Sequence, residues 1–242
     1  MSNRKNYDFD MMISTGRIAE HHFNHKFGAV PAMSQNATGS VWDINDTIYP
    51  WNALDPATNV HITNNIADAG LQVVVEGLDG NYQLLSETIT LTGVDTPGVE
   101  LFTRVNRAYI INGNNTNDVN IHAGAGNGTI VARISATLGQ TLMAVYTIPA
   151  GYTGYLYQLT LSIGGTGDAS AFLKIRDFGQ DTFRVRHTFE VTGPGGPMLY
   201  DFAFPLVMTE KSDIDIRATV RSNNTRVTAS FETLLVANDA EI

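Results

Sequence analysis

The sequence predicts an all-β protein built from an N-terminal arm, a small Ig-like β-sandwich and a jelly-roll β-sandwich. Three observations predict it. Eight short segments between Thr129 and Val236 alternate apolar and polar residues, the period-two signature of half-buried strands. The breaks between them are rich in glycine and proline, as at Gly164-Gly165-Thr166-Gly167 and Gly193-Pro194-Gly195-Gly196-Pro197, residue types that punctuate strands. Upstream, a shorter set of strand patterns runs from Asn59 to Ala123.

The first 38 residues read as an assembly arm, extended and partly helical. Their four basic residues (Arg4, Lys5, Arg17, Lys26) outnumber three acidic ones (Asp8, Asp10, Glu20), whereas the whole chain carries a net charge of -9. Ile13 to Lys26 suits a short helix with Ser14 or Thr15 as its cap. Met11, Met12, Ile13, Ile18, Phe23 and Phe27 are too apolar for a solvated tail. They require burial, either on this chain's own sandwich or on a neighbour, and the sequence leaves both open.

Residues 39–127 are expected to form the small sandwich. Its entry segment, from Ser40 to Trp51, holds both tryptophans of the chain. Trp42, Tyr49 and Trp51 are amphipathic rings of the kind that anchor a packing seam or an interface; a sugar-stacking platform is the third reading. Asn59–Thr63 gives the first strand. Leu71, Val73 and Val75 give the next, and Asp79-Gly80 offers a type I′ turn into Tyr82–Thr92. Val99–Ile111 reads as one long strand and Val119–Ala123 as a short one. Gly124-Ala125-Gly126-Asn127-Gly128 lacks the Lys-Ser/Thr ending and following helix of a phosphate loop. It reads as a junction to residues 128–242, the jelly roll.

In this last part the expected strands are 129–134, 141–148, 154–163, 169–175, 183–191, 199–206, 213–220 and 226–236. The pattern is clearest at Asp213–Val220, where Ile214, Ile216, Ala218 and Val220 share one face.

Composition narrows the function classes. The chain has 242 residues, 16% charged, and no cysteine, which excludes disulfides, thiolate catalysis and zinc–thiolate sites. The negative balance argues against sequence-independent nucleic-acid binding. No stretch approaches the roughly 18 consecutive apolar residues of a membrane helix. Met1–Asp8 lacks a signal-peptide apolar core. The expectation is synthesis in a host cytoplasm, with no membrane and no nucleic-acid partner.

Nothing in the motifs demands chemistry. His21 and His25 have the i,i+4 spacing that pairs rings on a helix, but a third ligand is not evident and no metal is expected. Arg184 and Arg186 alternate with Val185 and His187, while Arg217, Arg221 and Arg226 lie near the last two strands. These suit a solvated face pairing with Asp213, Asp215 and Glu232. Carboxylates occur at Glu76, Asp79, Glu87, Glu100, Asp168, Asp177 and Asp181, yet none is singled out as half of a glycosidase pair. The expectation is no enzyme, no catalytic residue and no cofactor. Tyr152, Tyr155 and Tyr157 are the aromatics that a glycan-binding module would use.

The order of several short motifs resembles a family of tailed-bacteriophage virion structural proteins known from marine phages. The matching pieces are His25-Lys26-Phe27-Gly28, Val41-Trp42-Asp43, Tyr49-Pro50-Trp51, Val75–Asp79, Arg104–Tyr109, Gly139–Gly151 and Phe183–His187. The resemblance implies a non-enzymatic virion component. Capsid decoration or cement is favoured, with a tail, baseplate or glycan-binding module as the alternative. Implied partners are other copies of the chain, as a trimer, with major capsid or tail proteins and a host-surface glycan besides. The interface residues expected are Met11, Met12, Ile18, Phe23, Phe27, Trp42, Tyr49 and Trp51.

Overall fold

In the computed structural model, residues 9, 11–126, 128–165, 167–193 and 196–240 are described. Arg4, Lys5, Asp8 and Asp10 of the arm, and Asn127, Thr166, Pro194 and Gly195 of the glycine-rich turns, lie outside them.

Sixteen strands are present: β1 (His21–Met33), β2 (Thr38–Ser40), β3 (Thr58–Thr63), β4 (Gln72–Leu78), β5 (Leu84–Thr90), β6 (Asp95–Phe102), β7 (Arg104–Ile110) and β8 (Val119–Ala123) form the first half. The second half comprises β9 (Ile130–Ile134), β10 (Val145–Thr147), β11 (Tyr152–Gly164), β12 (Asp168–Arg176), β13 (Arg184–Thr192), β14 (Met198–Met208), β15 (Asp213–Val220) and β16 (Thr225–Ala237). All pairings among them are antiparallel.

They make two sandwiches. The larger, jelly-roll-like one packs the sheet β1-β16-β11-β14 on the sheet β10-β15-β12-β13, with β2 also on β15. Its core includes Val30, Met33, Leu159, Leu173, Ile216 and Phe231. The smaller one packs β6-β3-β8-β9 on β5-β4-β7, around Val60, Ile62, Val75, Phe102 and Ile121. Burying such side chains contributes about 1.5–3 kcal/mol each before the entropy of ordering is counted.

The smaller sandwich is an insertion into one strand of the larger. β2 pairs with Arg217–Thr219 of β15, and β10 pairs with Asp213–Asp215 of the same strand. Both run antiparallel to β15, so β2 and β10 are two halves of one interrupted strand. The break is bridged by Val41 N–H to Ile216 O (2.7 Å) and Ala144 N–H to Val41 O (2.9 Å). Trp42 and Met143 also pair there. The chain therefore leaves and re-enters the larger sandwich at neighbouring points.

This topology corrects the expected divisions. The segment read as an arm is only partly one: β1 is an edge strand of the larger sandwich, in register with β16 from His21↔Val236 to Val30↔Val227. Val30 and Met33 are fully buried in its core. The helix expected over residues 13–26 is limited to a turn ending at residue 14. Beyond it, alternation wins: Lys26 is buried while Phe23 and His25 are exposed, a period that only a strand satisfies.

The junction expected at residues 124–128 is a hairpin loop inside the smaller sandwich, closed by Ala123 N–H to Thr129 O (2.8 Å). β9 consequently pairs with β8 and not with the jelly roll. The long strand expected over 99–111 is two strands in different sheets, divided at Thr103. The Asp79-Gly80 turn is also longer than a type I′ hairpin. Leu78 pairs with Leu84, Tyr82 takes the left-handed φ of 64°, and the Asp79 carboxylate accepts from the Asn81 and Gln83 N–H groups (both 2.8 Å).

Candidate assembly surface

Two features bear on function: a joint that fixes the sandwiches to each other, and an apolar outer face that the joint leaves in the open.

The joint is built on β15. Arg104, from β7, sends Nε and Nη2 to Asp213 Oδ1 and Oδ2 (3.0 and 3.2 Å), a two-pronged pair in which both side chains are nearly sealed from water. Asp213 also accepts from Arg176 Nη2 (2.6 Å) and Thr147 Oγ1 (2.6 Å). Burial works against the Arg104 cation, but Asp213 outweighs it and holds its pKa above the ordinary value. Two residues on, Asp215 accepts from Trp51 Nε1 (3.0 Å) and Arg217 Nε (2.7 Å). The Trp51 ring lies beside the guanidinium groups of Arg104 and Arg176, 5.8 and 5.9 Å from its centroid.

Trp42, Tyr49 and Trp51, expected at an interface between molecules, are buried here within one chain. Tyr49 packs edge-on to both tryptophans, at 5.1 and 4.8 Å, and donates its phenol to Val105 O (3.1 Å). These rings are the seam between the sandwiches, one of the readings the sequence offered, and they present no free surface.

The remaining residues expected at an interface are scattered. Met11 and Met12 are exposed on the N-terminal helical turn, beside the buried Ile13. Ile18 and Phe27 are half-buried, and Phe23 is exposed on β1.

Phe23 belongs to a larger pattern. Strand register places it beside Leu234, Leu234 beside Tyr155, and Tyr155 beside Val207. Four strands thus carry one apolar row across the outer face of the β1-β16-β11-β14 sheet. The next row is polar: His25, Glu232, Gln158 and Asp201. Within it His25 Nδ1 meets Glu232, and Gln158 Nε2 donates to Asp201 Oδ1 (2.6 Å).

At the β14 edge the ladder breaks. Leu156 pairs with Leu206 but Gln158 pairs with Asp201, so Tyr157 alone stands opposite the four residues Phe202–Pro205. This large bulge pushes Phe204 into solvent at 87% exposure, with Val207 at 59% and Leu199 at 56% close by on the strand. A contiguous apolar patch of this kind, rimmed by polar groups, marks an interaction site. The bulge also prevents plain edge-to-edge strand pairing. Beside it, His187, Phe189, Tyr200 and Phe202 stack and cross at 4.2–5.9 Å, closing the gap between the edge strands β13 and β14.

The charged residues are engaged structurally. Arg184 and Arg186 pair with Asp177 (3.8 and 3.3 Å), and Arg221 pairs with Glu190 (3.6 Å). Arg217 alone finds an expected partner, Asp215. Glu87 caps the β6 bulge by accepting from Val99 and Glu100 N–H, while Glu76 accepts from Tyr109 OH. Among the described residues, no group of three His, Cys, Asp or Glu is arranged to hold a metal ion. His21 and His25 lie on a strand, where four residues span about 13 Å.

No family model and no curated protein matches the sequence. Solved structures give low-level likenesses. One is to "Structure of infectious bursal disease virus Gx strain", at a TM-score of 0.28 and 9% identity over 91% of this chain and 73% of that one. Another is to "Crystal structure of infectious bursal disease virus VP2 subviral particle", at a TM-score of 0.21 and 10% identity over the same shares. Overlap at this level assigns no shared function.

Sequence reasoning had Phe23, Tyr155 and Tyr157 in view, but not Phe204, Val207 or Leu199. A signal for them existed. Phe202-Ala203-Phe204-Pro205 is an apolar run inside a strand with a proline, which marks an edge or a bulge.

Proposed function

We propose that this protein is a non-enzymatic structural component of a virion, of the bacteriophage type that the motif order resembles, and that it decorates or cements the capsid. Copies associate through the outer face of the β1-β16-β11-β14 sheet, and a closed trimer is the expected assembly.

The observation that carries the reading is the apolar row Phe23–Leu234–Tyr155–Val207 ending at the outthrust Phe204. Covering Phe204 alone contributes about 1.5–3 kcal/mol to association. The adjoining polar row gives a partner directional contacts, so that register is specified as well as affinity. The Asp213–Asp215 joint supports the same reading, because a particle component gains from a body whose two sandwiches do not shift.

The test is incorporation. Full-length protein with Phe204→Asp and Val207→Asp should fold normally but fail to join particles in a reconstitution with capsid and tail proteins. Normal incorporation of the double variant overturns the assignment of this face. A glycan-binding role in the virion is the second reading, favoured by Tyr155 and Tyr157 lying on the same face. It predicts glycan-array binding that is lost in Tyr157→Ala.

A further inference from the structure

Between the sandwiches, away from the apolar row, lies a cleft with a volume of about 620 Å³. One wall is β1 of the larger sandwich and the other is β4, β5 and β7 of the smaller one. Its rim is greasy, with Phe23 and Leu84 exposed at 53% and 63%. Its interior is not.

Lys26 lines the cleft at only 6% exposure, and its ammonium donates to the backbone carbonyl of Asn106 across the cleft. An ammonium has three protons to donate, and no carboxylate pairs with this one. Two positions along the strand, the Asn24 amide nitrogen is buried without any hydrogen-bond partner. Arg107 adds a second cation to the lining. The lining carboxylate, Glu76, already accepts the Tyr109 phenol at 3.1 Å. A concave site with apolar walls and a few convergent donors is built to take a ligand, and an orphaned buried donor is a cost that a ligand acceptor removes.

We infer that this cleft is a binding site for a carboxylate carried on an apolar body, the carboxylate meeting Lys26 and the Asn24 amide while the apolar part rests on Phe23 and Leu84. A small organic acid and the chain-end carboxylate of a partner protein share this chemistry. The groups facing Lys26 are Glu76 on β4, Arg107 on β7, Tyr146 on β10, and the His25–Glu232 pair on the neighbouring edge. Burial, and then Arg107, lower the Lys26 pKa to about 7 against a smaller upward pull from Glu76. Binding an anion stabilises the charged amine, so affinity is greatest below pH 7 and falls as pH rises past it.

The experiment is calorimetric titration of the full chain with 3-phenylpropionate, with its neutral amide, and with N-acetyl-diphenylalanine as a chain-end carboxylate, at pH 6 and pH 9. One or both acids should bind saturably, at least about tenfold more tightly than the amide and about tenfold or more weakly at pH 9 than at pH 6. Lys26→Met should abolish the difference between acid and amide. Tighter binding of the free acid assigns the site to small ligands, and tighter binding of the peptide assigns it to a partner chain. The inference is overturned if neither acid binds saturably, if the amide binds as well, or if affinity is equal at the two pH values. The last two comparisons use unaltered protein and stand even where Lys26→Met fails to fold.

Discussion

Arg104 and Asp213 meet across the joint between the two sandwiches, 3.0 Å apart at Nε and Oδ1, with side-chain exposures of 6% and 3%. The pair joins β7 of the inserted sandwich to the first residue of β15, the strand whose partner was split to admit the insertion. The place where the chain departs and returns is thus also where the strongest polar contacts between the bodies are made.

Removing the anion at this joint leaves two guanidinium groups buried without their shared partner. Asp213→Ala should therefore cost about 3–5 kcal/mol. Arg104→Ala should cost less, because Arg176 and Thr147 still satisfy Asp213. Urea unfolding of both variants checks the order, which is the informative part.

Gly28 sits on β1 where the strand passes the bridge between β2 and β10. A Cβ at this position would run into the backbone of Ala144 and of Val41. Backbone cannot swing aside as a side chain can, so Gly28→Ala should lower stability by roughly 2–3 kcal/mol. A thermal melt reads this directly. An unchanged midpoint would mean that β1 does not lie against that bridge.

The N-terminal boundary follows from the same strand. Deleting residues 1–19 should leave the melting behaviour nearly intact, because β1 begins at His21. Deleting residues 1–33 removes Val30 and Met33 from the core, and each such loss costs about 2–5 kcal/mol. That truncation should be largely unfolded by circular dichroism.

Lys26 gives a pH signature. Its pKa is about 7 in the folded chain and 10.5 as the reference for the unfolded one. Between those values the unfolded state binds one more proton, so stability rises with pH by up to about 1.4 kcal/mol per unit. Below pH 7 both states are charged, and the penalty of the buried cation is fully present. Unfolding free energies at pH 7, 8 and 9 should climb in the natural sequence more steeply than in Lys26→Met.

Much of the fold was legible because alternation is local. The strands β11 to β16 lie within a few residues of where the apolar spacing puts them, since each must bury one face. What the sequence hid is non-local. Nothing near Phe23 announces that its partner is Leu234, and apolar residues between Ile13 and Phe27 suit a helix as well as a strand until that pairing decides. The glycines at 124–128 look alike whether they join domains or turn a hairpin. The aromatic trio was readable as a seam but not as a seam within one chain. For the candidate surface, Phe204 escaped notice because its exposure arises from a register break between β11 and β14, which no single strand reveals.

The most direct measurement is the sedimentation-equilibrium mass of the purified chain beside that of Phe204→Asp/Val207→Asp. The account predicts an oligomer, a trimer by mass, for the natural sequence and a monomer with unchanged melting temperature for the double variant. A natural chain that stays monomeric at every concentration, or an oligomer that the two aspartates leave intact, would contradict it.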